Sequence, residues 1–413
     1  MHLSMLEWLR CPFCGTSLGV VAESPQERQG DELVSGVLGC ECCAYPVVAG
    51  IPVLIADDRT RLAMHQLEEG NRQSALLTLL SLEGDRAAAF VALMAEPARA
   101  TYRTALEVLS PDPEGIYFLY RFSDPTYRIA EAVIEALGQA GTTAGRAIDL
   151  CGGSGHLTRV LTDQVPGREV VLADVFYWKL WLAKVFTAPA CAPVCCDANH
   201  PLPFAREAFS VAVLSDAFPY IWHKRLLAAE MVRLVGPMGT IAMPHLHSSL
   251  GWNYSAGMTL TPASYRNLFE GMEPRLFPDT VLFDAIVDTA TIDLGASVSA
   301  EVLGDANSFT LVASSRAEVF QRFALTTPPG AVRGELRANP LYATRVVDGE
   351  SVLTLAFPNE DYESEFEDCK RYLPASVTLP GDATKALEAS ALGARATELR
   401  RTRVVIDVPR GYL

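Results

Sequence analysis

The run Ala147-Ile148-Asp149-Leu150-Cys151-Gly152-Gly153-Ser154-Gly155-His156-Leu157 constrains the fold more than any other stretch of the chain. A short apolar segment ends in an acid and opens into a glycine-rich turn. Glycine carries no Cβ, so the backbone of such a turn can approach a ligand closely, and the N–H groups at the start of the following helix point at that ligand. The pattern therefore predicts a strand, a cofactor-binding turn and a helix. A dinucleotide fingerprint needs a further glycine three residues after the second, where helix packs on strand. Three residues beyond Gly155 stands Thr158, which weakens a nicotinamide reading.

The run instead resembles motif I of the class I S-adenosylmethionine (SAM) methyltransferases, acid-x-Gly-x-Gly-x-Gly, matched by Asp149, Gly153 and Gly155 with Cys151 where the first glycine usually stands. The resemblance continues in order. Val170-Val171-Leu172-Ala173-Asp174 reads as a second strand whose terminal acid, Asp174, would accept bonds from both ribose hydroxyls. Cys196-Asp197-Ala198-Asn199-His200-Pro201-Leu202-Pro203-Phe204 is similar to the family's Asp-Ala-x-x-Leu-Pro-Phe segment with one residue inserted, which implies Asp197 and Ala198 at adenine. Phe209 to Ala217 reads as a fourth strand, and Glu230 to Gly239 resembles the helix and turn before the fifth, with Met238 replacing a glycine. The resemblance covers residues 145–245 and implies a Rossmann-like α/β sheet. Gly152, Val175 and Ser215 complete the expected cofactor set.

Ten cysteines are too few for a disulfide scaffold in 413 residues, and five of them fall between positions 11 and 43. Cys11-Pro12-Phe13-Cys14 and Cys40-Glu41-Cys42-Cys43 form two C-x2-C knuckles with 25 residues between them. This spacing lets four thiolates converge on zinc, with Cys11, Cys14, Cys40 and Cys43 the expected ligands and Cys42 a competitor; redox-active or simply buried cysteines are the alternative. Leu9 to Cys14 followed by Tyr45-Pro46-Val47-Val48-Ala49-Gly50-Ile51-Pro52-Val53-Leu54 resembles the Trm112-like zinc proteins. In that family the module activates methyltransferases acting on tRNA, rRNA or proteins, so the resemblance implies the same partnership within one chain.

The net charge of -15 argues against a preformed phosphate-binding surface. No stretch reaches the roughly 20 uninterrupted apolar residues of a spanning helix, and no basic region precedes an apolar signal core at the start. A soluble, cytoplasmic protein is expected.

Four parts follow: a zinc ribbon (1–57), a helical connector (58–140), a SAM-binding core (141–318) and a small α+β appendage (319–413). In the connector, Leu, Ala and Met recur at helical spacing. Its end, Tyr117 to Tyr127, crowds aromatics before a helix that Asp124 caps with Pro125 at its first position. These rings are either core or a lid in which Tyr120 or Tyr127 touches the cofactor. Past the fifth strand, Thr280 to Val287 and Ser308 to Ala313 read as strands six and seven, and Tyr265 to Phe269 as helix. The loop carrying Trp252, Asn253 and Tyr254 is aromatic enough to wall a small-molecule site. Thr327-Pro328-Pro329-Gly330 punctuates the start of the appendage, and the acidic run Glu360 to Asp368 reads as a solvated helix face.

Methyl transfer requires in-line placement, exclusion of water, and a base only where the acceptor is protonated. The acceptor-side candidates lie at the carboxyl ends of strands four and five: Asp216, Tyr220, His245 and His247. Two of only seven histidines in one His-x-His suggest a base, a metal pair without an apparent third ligand, or polar residues satisfied at the sheet edge. The expected activity is SAM-dependent methyl transfer, O- or N-directed, to a small molecule, sugar or modified peptide. The ribbon favours an RNA or protein acceptor and the charge opposes RNA; a non-catalytic scaffold whose ribbon and appendage dock protein partners is the third reading.

Overall fold

In the computed structural model, which describes residues 1–110, 113–165, 169–252, 257–326 and 332–413, Ala147–Leu150 is a strand (β1) buried at every position. Six further strands join it: β2 (Val170–Asp174), β3 (Ala192–Cys195), β4 (Val211–Val213), β5 (Thr240–His247), β6 (Pro274–Pro278) and β7 (Ser308–Ser314). They lie in the order β6-β7-β5-β4-β1-β2-β3. The strands from β3 to β5 are parallel, and β7 is antiparallel to both β5 and β6. Strands covered on both faces need no alternation of polar and apolar residues, as the fully buried β1, β2 and β4 illustrate. This is the Rossmann-like sheet expected from the sequence. Its strand order reverses between β1 and β4, and open α/β sheets bind ligands at the carboxyl ends there.

The sixth strand is not where its pattern places it. Residues 280–287 belong to the helix Asp279–Thr289, and the strand is the preceding Pro274–Pro278. Leu282, Phe283 and Ile286 are buried at helical spacing while Val281 is exposed. Two prolines disguise β6, but it is an edge strand, where a missing N–H is tolerated. The seventh strand and the helix around Tyr265 lie where expected.

Six helices connect Asp58 to Gln139 among the described residues. The last of them, Pro125–Gln139, begins as its sequence predicts: Asp124 accepts the Tyr127 amide at 2.6 Å, with Pro125 in the first turn. It packs on β5 and on the helices His156–Gln164 and Asp279–Thr289. The N-terminal ribbon is a five-stranded antiparallel sheet that docks on the free edge of β3. Val53 forms a parallel bridge with Cys195, and the Leu54 amide donates to the Cys195 carbonyl at 2.7 Å. Trp8, Leu9 and Tyr45 enter one hydrophobic core with Val171, Val194 and Phe204. An edge strand exposes unpaired backbone groups; here the ribbon covers them.

The C-terminal segment is not a piece apart. Its strands Glu335–Ala338 and Val405–Val408 pair, and its side chains share one core with the connector helices and the sheet. Tyr412 stacks on Tyr102 with ring centroids 4.5 Å apart. Contacts spanning some 300 residues leave no local trace in the sequence. Thr327 to Gly330, Asn253 and Tyr254 lie outside the described residues.

Candidate cofactor and acceptor site

A cavity of about 730 Å³ opens at the carboxyl ends of β1, β2, β4 and β5. At one end lies the glycine-rich turn. Cys151, Gly153 and Gly155, the three glycine positions of the motif, all have left-handed backbone, with φ of 55°, 58° and 81°. Cys151 therefore adopts the turn a glycine would make, at a cost on the order of 1 kcal/mol for a residue with a Cβ. The cradle is tight: a Cβ on Gly152 would lie 2.5 Å from Asp149 Cγ. Cys151→Gly is expected to keep the cavity and to stabilise the fold by about 0.5–1 kcal/mol in urea unfolding; a comparable loss of stability would show that the thiol packs more usefully than the strain costs.

Two acids frame this end. Asp174 Oδ2 accepts the Gly153 amide at 3.0 Å and Oδ1 the Phe176 amide at 2.9 Å. Asp149 is buried and accepts the Thr158 hydroxyl at 2.6 Å through Oδ2, while its Oδ1 has no partner among the described residues. Thr158, which stands in place of a dinucleotide-type glycine, thus has its own task of holding Asp149. Burial pushes Asp149 up to about 7, the Thr158 bond opposes the shift, and the Asp174 charge adds to it. Asp197 and Ala198 line the cavity, with the Asp197 carboxylate fixed by the Asn199 amide at 2.8 Å and facing the His200 ring at 3.0 Å. Val175 and Ser215 also line it, whereas Gly155 does not, its Cα facing Ala183 instead.

Tyr120 and Tyr127 do not reach the cavity. Tyr127 is buried against Phe122, and Tyr120 packs edge-on to Tyr362. The residues of this segment that line the cavity are Tyr117, Phe118 and Arg121. Their spacing of one and four residues marks a single helical face, a signal that the aromatic count alone obscured. Arg121 is buried and donates to both oxygens of Asp124 at 2.9 Å.

The other end is polar. Asp216 Oδ2 accepts the Tyr117 hydroxyl at 3.2 Å, and Asp216 Oδ1 lies 3.0 Å from His247 Nε2. Burial alone would raise the Asp216 carboxyl, but the His247 hydrogen bond and the His245 and Arg121 charges hold it below its ordinary value. His247 and Tyr220 line the cavity; His245 stands behind, its Nδ1 2.9 Å from Asp279 Oδ2. For His245 burial opposes the charge, and the Asp279 bond with the Asp216 and Asp279 charges raises the imidazole. A third ligand-type residue, not apparent in the sequence, is present: donor atoms of Asp216, His245 and His247 lie within 4.8 Å of one another. The acidic run contributes more than a solvated face, because Glu365 lines this end. Although Glu365 is otherwise exposed, partial desolvation beside the cavity, with the Asp216 and Asp124 charges adding to it, pushes its carboxyl up to about 7.

A family profile described as a methyltransferase domain matches residues 148–243, the span from β1 through the first half of β5. These residues form a methyltransferase domain. The ubiquinone/menaquinone biosynthesis C-methyltransferase of Ralstonia nicotianae is 32% identical over 110 residues, a match that spans 25% of this chain and 45% of that protein. The enzyme of the same name from Ralstonia pickettii is 28% identical over 178 residues, 38% of this chain and 71% of that protein. Among solved structures, the methyltransferase and Trm112 activator complex of Haloferax volcanii is 18% identical and covers 45% of this chain and 89% of that one, with a TM-score of 0.33. A SAM-dependent methyltransferase from Aquifex aeolicus is 14% identical, covering 49% and 97%, with a TM-score of 0.34. The sheet order and the matched span together make the methyltransferase domain a class I fold.

Away from the methyltransferase domain, the thiols of Cys11, Cys14 and Cys40 lie within 4.8 Å of one another. The Cys42 and Cys43 amides donate to Cys40 Sγ at 3.4 and 3.3 Å, as a metal knuckle requires. Cys43, the expected fourth ligand, is not in that group. Cys42 bears on Cys14, and Cys43 on Tyr45. Among the described residues no helix is long and apolar enough to cross a membrane.

Proposed function

We propose that this protein transfers the methyl group of SAM to an oxygen or nitrogen of a small molecule, sugar or modified peptide. One observation carries the reading: a single cavity joins the glycine-turn end, with Asp149 and Asp174, to a polar end with Asp216, His247 and Glu365. The orphaned Asp149 Oδ1 and the tight glycine cradle fit the cofactor. Asp174 would take its ribose hydroxyls, Asp197 and Ala198 its adenine, and Asp149 its ammonium group. When bound, the cofactor supplies an electrophilic methyl carbon on a sulfonium. The chain's own residues bring the acceptor in line and exclude water, with Tyr117 and Phe118 as the lid. Asp216, His247 and Tyr220 hold the acceptor, and His245 positions this end from behind. As the methyl group transfers, Glu365 would take the acceptor's proton. The exposed rings of Phe176 and Tyr220 on the cavity wall suit an apolar acceptor body.

Transfer of labelled methyl from SAM to a panel of hydroxyl and amine acceptors tests the reading; a folded, cofactor-bound protein that methylates none, itself included, would leave only the scaffold. The base role has its own signature. Glu365→Gln is expected to lower kcat by roughly 10²-fold without altering SAM affinity. The wild-type rate should rise with pH through about 7, as Glu365 loses its proton, and the variant should lack that limb.

The thiol cluster supports a zinc ribbon that serves its methyltransferase domain within the chain. Cys14→Ser is expected to lose one zinc equivalent per chain by metal analysis; unchanged zinc content would contradict the knuckle. All ten cysteines are unpaired, as suits a reducing cytoplasm.

A further inference from the structure

We propose that Asp216, His245 and His247 hold a divalent first-row transition-metal ion, and that this ion binds the methyl acceptor through oxygen or nitrogen. The second half of the proposal rests on the methyl-transfer reading; the first does not.

The donor set is two imidazoles and one carboxylate, which suits zinc, iron(II), manganese or nickel better than magnesium or calcium. At metal–ligand bonds of about 2.1 Å, two ligands at right angles on one ion lie about 3.0 Å apart. Asp216 Oδ1 and His247 Nε2 are 3.0 Å apart. All three donor atoms fall within 4.8 Å of one another. His245 is braced in the way a metal-bound imidazole usually is, through a carboxylate on its other nitrogen. Its Nδ1 faces Asp279 Oδ2 at 2.9 Å, and Asp279 is fixed in turn by the Thr310 hydroxyl at 2.8 Å. Nε2 is then the nitrogen left for an ion.

Backbone geometry provides an independent sign. The ladder between β5 and β7 shifts register between Met243 and Leu246, and His245 within that bulge has φ of 58°. Asp216 is also left-handed, at 55°. Bulges beside active sites re-aim side chains, and left-handed conformations at non-glycine residues persist where the surroundings hold them for a purpose. Two of the three donors occupy such positions. The surrounding charge also favours a cation: Glu365 and Asp279 add to Asp216, and the guanidinium of Arg121 is offset by Asp124.

Asp216 and His247 face the cavity, so an ion with three protein ligands would keep positions open toward it, the arrangement of catalytic rather than structural metal sites. An acceptor hydroxyl or amine bound there would lose its proton more readily and would face the methyl-donor end of the same cavity.

The test uses the full chain with its knuckles filled by zinc, titrated with cobalt(II) alone and followed by equilibrium dialysis and visible absorption. One further equivalent is expected, absorbing without the intense charge-transfer band of thiolate ligation. His245→Ala, His247→Ala and Asp216→Asn should each weaken it at least tenfold. His65→Ala, on the exposed face of a helix beside Glu68 and Glu69, should leave it unchanged. Absence of the extra equivalent, or its survival in both histidine variants, overturns the site. Circular dichroism reports whether each variant folds; where a histidine variant does not, the near-isosteric Asp216→Asn decides, and undiminished cobalt binding in it overturns the site. S-adenosylhomocysteine titration of the same proteins separates the two claims. Cofactor binding without a cobalt site refutes the ion alone, and a cobalt site without cofactor binding refutes the methyl-transfer reading alone.

Discussion

Replacing Asp174 by alanine is expected to weaken S-adenosylhomocysteine binding by about three orders of magnitude. The carboxylate closes the β2 end of the cavity and accepts the Gly153 and Phe176 amides, so it fixes the glycine turn before any ligand arrives. With cofactor bound it would also accept both ribose hydroxyls. Charge-assisted hydrogen bonds contribute about 1.5–3 kcal/mol each; losing two removes roughly 3–6 kcal/mol, or 10²- to 10⁴-fold in affinity. Asp174→Asn keeps the volume and one acceptor oxygen without the charge, and a smaller loss of about 10- to 100-fold follows. Both variants should retain the wild-type circular dichroism spectrum. Calorimetric affinity of the alanine variant within threefold of wild type would remove Asp174 from the ribose site.

Tyr412→Ala is expected to destabilise the fold by about 3–5 kcal/mol, as for other large buried aromatics. Tyr412, next to the last residue, is fully buried. Its ring stacks on Tyr102, and its hydroxyl lies 2.8 Å from His156 Nε2 and donates to the Phe118 carbonyl at 3.0 Å. The C-terminal segment thereby ties the helix carrying Phe118 to the helix that His156 begins. Truncation to alanine leaves a cavity and an imidazole without its partner, so the unfolding midpoint should fall and S-adenosylhomocysteine affinity with it. The pH dependence follows from the same residue. Burial first, then the Arg121 and Arg159 charges, hold His156 well below its ordinary value. The unfolded imidazole takes up a proton near pH 6.5 while the folded one resists, so this part of the stability is complete above about pH 6.5 and is lost as the pH falls toward the folded value. His156→Gln should flatten that acid limb in urea unfolding followed from pH 7.5 to 5; an unchanged limb would assign it to other groups.

The glycine-turn end of the cavity was legible in the sequence because its chemistry is local. Asp149, Asp174 and Asp197 each lie at or just beyond a strand end, and the glycines mark the turn by their spacing. Even the Cys151 departure resolves locally, since cysteine takes the left-handed backbone the motif demands. What escaped depends on long-range packing. Glu365 borders the cavity from a helix about 150 residues beyond Asp216, and nothing in a run of acids says which one does so. Asp216 follows β4 while the two histidines lie in β5, so their convergence is a property of sheet order. The exchange between Tyr120 and Tyr127 on one side and Tyr117 and Phe118 on the other is a matter of helix phase, which the one-and-four spacing with Arg121 would have fixed. The sixth strand was lost to its prolines, which an edge position admits.

The most direct test titrates S-adenosylhomocysteine and NAD in parallel into the folded, zinc-replete protein by calorimetry. The structure predicts one micromolar site for S-adenosylhomocysteine and none for NAD, because Thr158 holds Asp149 where a dinucleotide turn would need glycine. No heat from S-adenosylhomocysteine, or tighter binding of NAD, would contradict the methyl-donor site.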